Sequence, residues 1–279
     1  MFSKVLLTVD FDRTLTDPNS VIPQRNLDAI DYFMANGGSF TVNTGRDLAT
    51  LCQYLHQIKT NVPMLLLNGS ATYFAGKGAD FRPIELDLWQ TMEEMRQMFP
   101  GQNLEIQTLD MHYLIDPAPE YRELYDNSGW RYQVAQRGSD IPFLKFAIFG
   151  TVHHPAMSDM FDGTDEELAF FDHMEKAIGD FYGDTVTVFR SAPRIIDVHA
   201  KGVSKLIAAR ALQKKLGKEI LVCVGDAEND ICMLEGADYA FCPSDAILAD
   251  RFPNVCTCAE GAVADVIYKE IPKILGILP

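Results

Sequence analysis

A chain of 279 residues, 47% hydrophobic and 23% charged, is long enough for one large or two smaller globular domains around a sizeable core. Its 39 acidic side chains outnumber 24 basic ones, and the net charge of −15 argues against nucleic-acid backbones and anionic membranes as partners, which its field would repel. No apolar run approaches the roughly 18 residues that span a bilayer. Lys4 is followed by an apolar run only five residues long, interrupted by Thr8 and ended by Asp10, too short for a signal-peptide core. Six cysteines (Cys52, Cys223, Cys232, Cys242, Cys256 and Cys258) form no CxxC pair, so reduced thiols and a cytoplasmic location are expected.

The first element is the run Val5–Val9. It reads as a buried central strand and stops on two carboxylates, Asp10 and Asp12. Pro23 opens a helix with Leu27, Ile30 and Met34 on one face, ended by Asn36-Gly37-Gly38. A second strand, Ser39–Asn43, runs into Thr44-Gly45-Arg46, after which Asp47 caps a helix carrying Leu48, Leu51, Cys52 and Leu55. A third run, Met64–Leu67, ends on Asn68-Gly69-Ser70. Strand, helix, strand, helix, strand predicts βαβ units and a parallel sheet.

From Arg82-Pro83 the pattern changes. Leu88, Met92, Met95 and Phe99 mark a helix, the segments 104–109 and 111–115 a hairpin, and 143–149 another strand. A helix over 165–178 leads to a strand over 185–189. Paired strands with fewer helices predict an inserted α+β domain over 83–189, within a core made of 1–82 and 190–279. The parallel pattern resumes near Ile195. Lys201-Gly202-Val203-Ser204-Lys205 opens a helix expected to turn Val203, Leu206, Ile207 and Ala211 inward. The strand Ile220–Val224 runs into Gly225-Asp226, a further strand covers 237–242, and a helix follows Gly261.

Parallel strands place their carboxyl ends along one edge, so Asp10, Asp12, Asp226 and Asp230 are expected to converge there with Thr44. So many carboxylates in one place call for a hard divalent cation with oxygen ligands. Asn229 and Asp230, three and four residues beyond Asp226, turn toward the same side. Lys205 falls in the first turn of its helix, where unpaired backbone N–H groups favour anions. A lysine, a threonine hydroxyl and Mg²⁺ are what a phosphoryl group requires, and a carboxylate can serve as its nucleophile.

With Asp10-Phe11-Asp12-Arg13-Thr14, then Thr44, then Lys205, then Gly225-Asp226 with Asn229-Asp230 in order, the chain resembles the haloacid dehalogenase superfamily of phosphohydrolases. Thr44-Gly45-Arg46, Asn68-Gly69 and the large insert resemble its Cof-type branch with a type II cap. The resemblance implies a Rossmann-like α/β core and a Mg²⁺-dependent phosphatase that acts on a small phosphorylated metabolite, such as a sugar phosphate. It implies that Asp10 attacks phosphorus, that Asp12 protonates the leaving oxygen and then activates water, and that Thr44 and Lys205 hold the phosphoryl group. Gly45, Arg46 and Asn68 would line the substrate, and Asp10, Asp12 (through its carbonyl), Asp226, Asn229 and Asp230 would form the metal site. A phosphomutase, or a phospho-ligand-binding protein without turnover, would share these residues. Three points need a structural answer. Arg13 stands where the family usually has Gly, Phe241–Ala246 departs from the family's Gly-Asn-Ala, and Lys201 competes with Lys205.

Overall fold

Every residue of the strand Val5–Val9 is buried, because it lies between Ile220–Val224 and Ser39–Val42 in the sheet. The computed structural model describes residues 1–278, and this sheet has the order Asn254–Val255, Tyr239–Pro243, Ile220–Val224, Val5–Val9, Ser39–Val42, all parallel. Alternation along the strands sends Leu6, Leu221 and Cys223 to one side, where they pack with Ala208, Ala209, Leu212, Met233 and Leu234. Thr8 shares that side, its hydroxyl 3.2 Å from Cys223 Sγ. The helix Gln24–Ala35 buries Asn26, Ala29, Ile30 and Phe33, an i, i+3, i+4, i+7 stripe. Asn26 is buried because both ends of its amide are used: Nδ2 donates to Leu15 O (3.0 Å) and Oδ1 accepts from Ala264 N (2.9 Å).

The expected third parallel strand does not join this sheet as a ladder. Asn43 and Leu65 share one parallel bridge, while Met64–Leu66 pairs antiparallel with Ala71–Phe74 in a three-stranded sheet completed by Gly78–Phe81. The cause is the turn that follows. Leu67, Asn68 and Gly69 all have positive φ (51°, 53° and 100°), so the chain reverses at once and meets its own preceding strand. The helix after Asp47 is also shorter than its apolar spacing predicts, covering only Leu48–Leu51. Its first turn is capped by Asp47, which accepts from Thr50 N.

The chain divides into two compact units. One comprises Met1–Gly45, Gln53–Asp80 and the stretch from Ser204 onward; the other comprises Arg46–Cys52 and Phe81–Val203. The second unit therefore ends at Val203, not at 189. Ile195–Ala200, which the sequence places with the parallel core, pairs antiparallel with both Val186–Ala192 and Lys145–Phe149. The physical reason is the pattern Ile196-Asp197-Val198-His199, which alternates apolar and polar as an antiparallel strand between two unlike faces does.

The sheet of the second unit has the order Val186–Ala192, Ile195–Ala200, Lys145–Phe149, Asn103–Gln107, His112–Ile115, Tyr132–Val134. One face presents Leu104, Ile106, Phe146, Ile148, Ile196 and Val198 to the helices Leu88–Met98 and Asp165–Tyr182, through Met92, Met95, Phe171, Met174 and Ile178. The opposite face packs Leu114, Ala147, Phe149 and Ile195 against Tyr121, Leu124 and Tyr125 of the helix Pro119–Ser128. Trp130 and Tyr132 join that cluster, their rings 5.6 and 5.3 Å from Tyr125.

The second face also carries buried charge. Lys145 pairs with Asp197 at 2.7 Å. His112, 2% exposed, lies 2.8 Å from Asp47 Oδ2 through Nε2 and 3.4 Å from Glu105 Oε1 through Nδ1. Burial opposes its charge, but Asp47 and Glu105 together raise His112 to about 10. Burial likewise opposes ionised Glu105, yet His112, Gln107 and Tyr121 hold it down at about 2. Tyr121 donates to Glu105 at 2.6 Å, and Tyr125 and Gln107 also donate to that carboxylate.

Because the folded-state pKa of His112 lies above its ordinary value, its stabilisation is complete below pH 6.5 and is lost as pH rises toward about 10. The stability difference between wild type and H112Q, read from urea unfolding, should shrink by about 1.4 kcal/mol per pH unit within that window. A pH-independent difference would show that His112 is neutral in the fold.

Candidate active site

Asp10 directly follows the central strand and stays extended (φ −66°, ψ 159°), so the alternation that sends Leu6 and Thr8 toward the helix Lys205–Leu216 carries Asp10 the same way. Its backbone N–H donates to Val224 O at 2.9 Å, which ties the ends of the two neighbouring strands together. The chain then tightens into the turn Phe11–Leu15, where Leu15 N reaches Asp10 O (3.2 Å) and Thr16 N reaches Phe11 O (3.0 Å). Arg13 sits in this turn at φ +53°, the left-handed region that favours glycine. The Arg13 side chain itself is exposed.

Lys205 comes from a helix whose buried face differs from the expected one. Lys205, Ala208, Ala209, Leu212 and Gln213 point inward, whereas Ile207 is 42% exposed and Ala211 faces solvent. The i, i+3, i+4, i+7, i+8 stripe begins on the lysine itself, so the ammonium is drawn into the interior. It is 1% exposed and donates to Asp10 Oδ1 at 2.6 Å and to Asp230 Oδ1 at 2.7 Å. Burial works against its charge, but Asp10 and then Asp230 outweigh it, and Lys205 is held above its ordinary value. Lys201 is not a rival: it is exposed and pairs with Asp184 at 2.7 Å in the second unit.

Asp226 and Asp230 follow the strand Ile220–Val224. Asp230 Oδ2 accepts from Asp226 N (3.0 Å) and Ala227 N (3.2 Å), closing the loop on itself. Gly225 is required there, since a Cβ would lie 2.5 Å from the Asp230 carboxyl carbon. Thr14 donates its hydroxyl to Asp226 Oδ1 at 3.0 Å. The DxDxT motif contained this threonine, yet its role could not be read from the sequence because the partner lies 212 positions away.

The structure thus brings Asp10, Asp226 and Asp230 together, one carboxylate oxygen from each lying within 4.8 Å of the others. Among the described residues this is the one such His/Cys/Asp/Glu group found, and His153-His154 is not part of one; His153 is exposed against Glu167. Asp12, half-buried, gives no atom to the group, and Asn229 lies half-buried beside Asp230 in the turn Glu228–Asp230. Three carboxylates against one lysine leave a formal excess of two negative charges in a buried space. Burial, partly offset by Lys205, pushes Asp10 well above the usual carboxylate range; burial and then Asp230 push Asp226 up to about 7. Hard oxygen donors with raised pKa values fit a small divalent cation.

Thr44, Gly45 and Asn68 also meet. Thr44 N donates to Leu65 O and Asn68 N to Thr44 O, each at 2.9 Å, and a Cβ on Gly45 would lie 3.1 Å from Asn68 Oδ1. Two residues outside the expected set hold Lys205 in place. Asn43 Nδ2 donates to Lys205 O at 2.9 Å, and Gly69 lets its turn approach Ser204 O, which a Cβ would meet at 2.7 Å. Arg46 belongs to the other unit, its Nη1 donating to Thr50 O at 3.3 Å.

The fold and this constellation define a parallel α/β core that carries a buried carboxylate and lysine cluster, with a second α+β unit, and the comparisons agree. The family model of the haloacid dehalogenase-like hydrolases matches residues 7–249, and the chain belongs to that family. A Bacillus subtilis (strain 168) relative, 5-amino-6-(5-phospho-D-ribitylamino)uracil phosphatase YcsE, is 23% identical over 236 residues, covering 83% of this chain and 80% of its own. Among solved structures, TM0651 from Thermotoga maritima superposes with a TM-score of 0.74 at 20% identity, covering 96% of this chain and 97% of that one. The HAD subclass IIB sugar phosphatase BT4131 superposes with a TM-score of 0.72 at 19% identity, covering 98% and 99%. The resemblance read from the motifs, to the Cof-type branch, is borne out. No helix among the described residues is long and apolar enough to cross a membrane.

Two outcomes follow from this geometry. Mg²⁺ at a hundred times its Kd should stabilise the protein by about 2.7 kcal/mol, read as a rise in the urea midpoint over EDTA-treated protein. D226N should lose most of that increment, and an unmoved wild-type midpoint would refute the fit. R13G relieves a left-handed arginine and should leave stability unchanged or raise it by up to about 1 kcal/mol.

Proposed function

We propose that the protein hydrolyses phosphate monoesters of small phosphorylated metabolites, sugar or polyol phosphates being the preferred class. The observation that carries this reading is the buried Lys205 ammonium bonded to Asp10 and Asp230, with Asp226 alongside. Burial works against the ionised form of a nucleophilic carboxylate, and at Asp10 the Lys205 ammonium partly offsets it. Family membership and the phosphatase activity for which the Bacillus relative is named support water as the final acceptor, in preference to transfer back to a sugar.

In the proposed reaction an Asp10 carboxylate oxygen attacks phosphorus as the ester P–O bond breaks, and Asp12 gives its proton to the departing oxygen. Asp12 then takes a proton from water, whose oxygen attacks the aspartyl-phosphate; phosphate leaves and Asp10 is restored. Asp12 suits that role because it is only half-buried and stands outside the carboxylate group. Lys205 and Thr44 would orient the phosphoryl group, with Gly45, Arg46 and Asn68 toward the substrate. Mg²⁺, held by Asp10, Asp226 and Asp230 with the Asp12 carbonyl and Asn229 in support, would neutralise charge on the phosphoryl oxygens.

Purified protein with Mg²⁺ should release phosphate from p-nitrophenyl phosphate and from a panel of sugar phosphates. D10N should lose at least about a thousandfold in kcat, as removal of a covalent nucleophile does. Wild-type protein inactive across the panel would overturn the reading.

A further inference from the structure

Arg13 is the residue of the DxDxT turn to which the proposed reaction gives no task. It shares one unit with Asp10, Asp12, Lys205, Asp226 and Asp230. Its left-handed backbone (φ +53°) is held by hydrogen bonds on either side. Arg13 N donates to Thr16 Oγ1 at 3.3 Å, and that hydroxyl donates onward to Phe11 O at 3.2 Å. The next residue, Thr14, is tied to Asp226. A non-glycine residue held in this region costs stability, and such strain concentrates at binding and catalytic sites. The root of an exposed cation is thereby fixed one position beyond the proposed acid Asp12.

The protein itself does not consume this guanidinium. Among the described residues no carboxylate lies within ion-pair reach of it, in a chain with 39 acidic side chains. Its charge is felt at Cys258, where burial and then Asp245 push the thiol up to about 12 and Arg13 works against them. Asp245 does not neutralise the arginine, because both its oxygens are engaged: Oδ1 accepts from Cys258 N at 2.9 Å and Oδ2 from Cys258 Sγ at 3.2 Å. Asp245 lies just beyond Tyr239–Pro243, which runs parallel to Ile220–Val224 and so to Val5–Val9. The Arg13 charge therefore acts along the same carboxyl edge of the sheet that carries Asp10 and Asp226. We propose that Arg13 is a specificity-determining residue that receives a second anionic group on the leaving portion of the ester. The preferred substrates are then sugar or polyol phosphates that bear a further carboxylate or phosphate. Lys205 does not serve that group, being 1% exposed and bonded to Asp10 and Asp230. A guanidinium fork matches the oxygens of either anion, and a local cation offsets the repulsion that a chain of net charge −15 exerts on a polyanionic ester. Placing the anion on the leaving portion rests on the phosphatase reading; the binding of an anion by Arg13 does not.

Three esters test this: glucose 6-phosphate, 6-phosphogluconate with its carboxylate, and fructose 1,6-bisphosphate with its second phosphate. With Mg²⁺, wild-type kcat/KM for at least one of the two anionic esters should exceed that for glucose 6-phosphate by about tenfold. R13G, in which glycine suits the left-handed turn, should erase that ratio. The ester that loses more in R13G tells carboxylate from phosphate. A ratio near one in wild type, or one that survives R13G, would overturn the proposal; a purely structural arginine would affect all three esters alike and leave the ratio standing. Calorimetric titration of D10N and D10N/R13G with the same esters and Mg²⁺ needs no turnover. An anionic ester should bind D10N about tenfold more tightly than glucose 6-phosphate and lose that margin in D10N/R13G. Equal binding of the three esters by D10N, or none, would count against Arg13 as decisively. Wild-type protein that turns over no ester while D10N keeps the margin would sink the phosphatase reading alone.

Discussion

The structure turns on one buried cation. Lys205 is 1% exposed and bonded to Asp10 and Asp230, two carboxylates that come from strands adjacent in space and distant in sequence. Removing one partner from such a buried pair leaves an uncompensated charge and costs about 3–5 kcal/mol. Much of the surrounding chain serves to keep the cation there. Asn43 holds the Lys205 carbonyl, Gly69 admits a turn against Ser204 O, and Gly225 has no Cβ because the Asp230 carboxylate fills that space. Ser204 caps the helix from which Lys205 projects, accepting from Ile207 N.

The pairing is deliberately incomplete. Asp226 stands with the other two acids and receives one hydroxyl from Thr14. Burial, joined by the neighbouring carboxylates, raises the Asp10 and Asp226 pKa values, a state that a hard cation would relieve. The insert contains a similar motif brought to a different end. His112 lies between Asp47 and Glu105, but there two tyrosines and a glutamine satisfy the carboxylate that faces the interior. Hydrogen bonds of this kind rigidify their surroundings, whereas uncompensated carboxylates favour a cation.

Much of the core was legible in the primary structure. Val5–Val9 and Ile220–Val224 are almost wholly apolar runs, as strands covered on both faces carry, and they lead into Asp10 and into Gly225-Asp226 at the rim. What was misread has a common origin. The run at 64–67 looks like another parallel strand, but its partner is decided by the positive-φ turn behind it. Ile195–Ala200 was placed in the core because its chain position follows the insert, although Asp197 and His199 alternate with Ile196 and Val198 as in the antiparallel strand it is. The inward face of the Lys205 helix was assigned to Ile207 and Ala211 on hydrophobicity, yet a paired lysine proved more deeply buried than an isoleucine.

By itself, then, the sequence determined the strand ends, the order of the carboxylates and the existence of an insert, since these follow from local apolar patterning and from where it stops. Only the tertiary structure decided which acids share a space, that Thr14 and Asn43 serve Asp226 and Lys205, and that Arg46–Cys52 belongs with the insert. Those are pairings between groups up to 212 residues apart, and nothing in the neighbourhood of either partner encodes the distance between them.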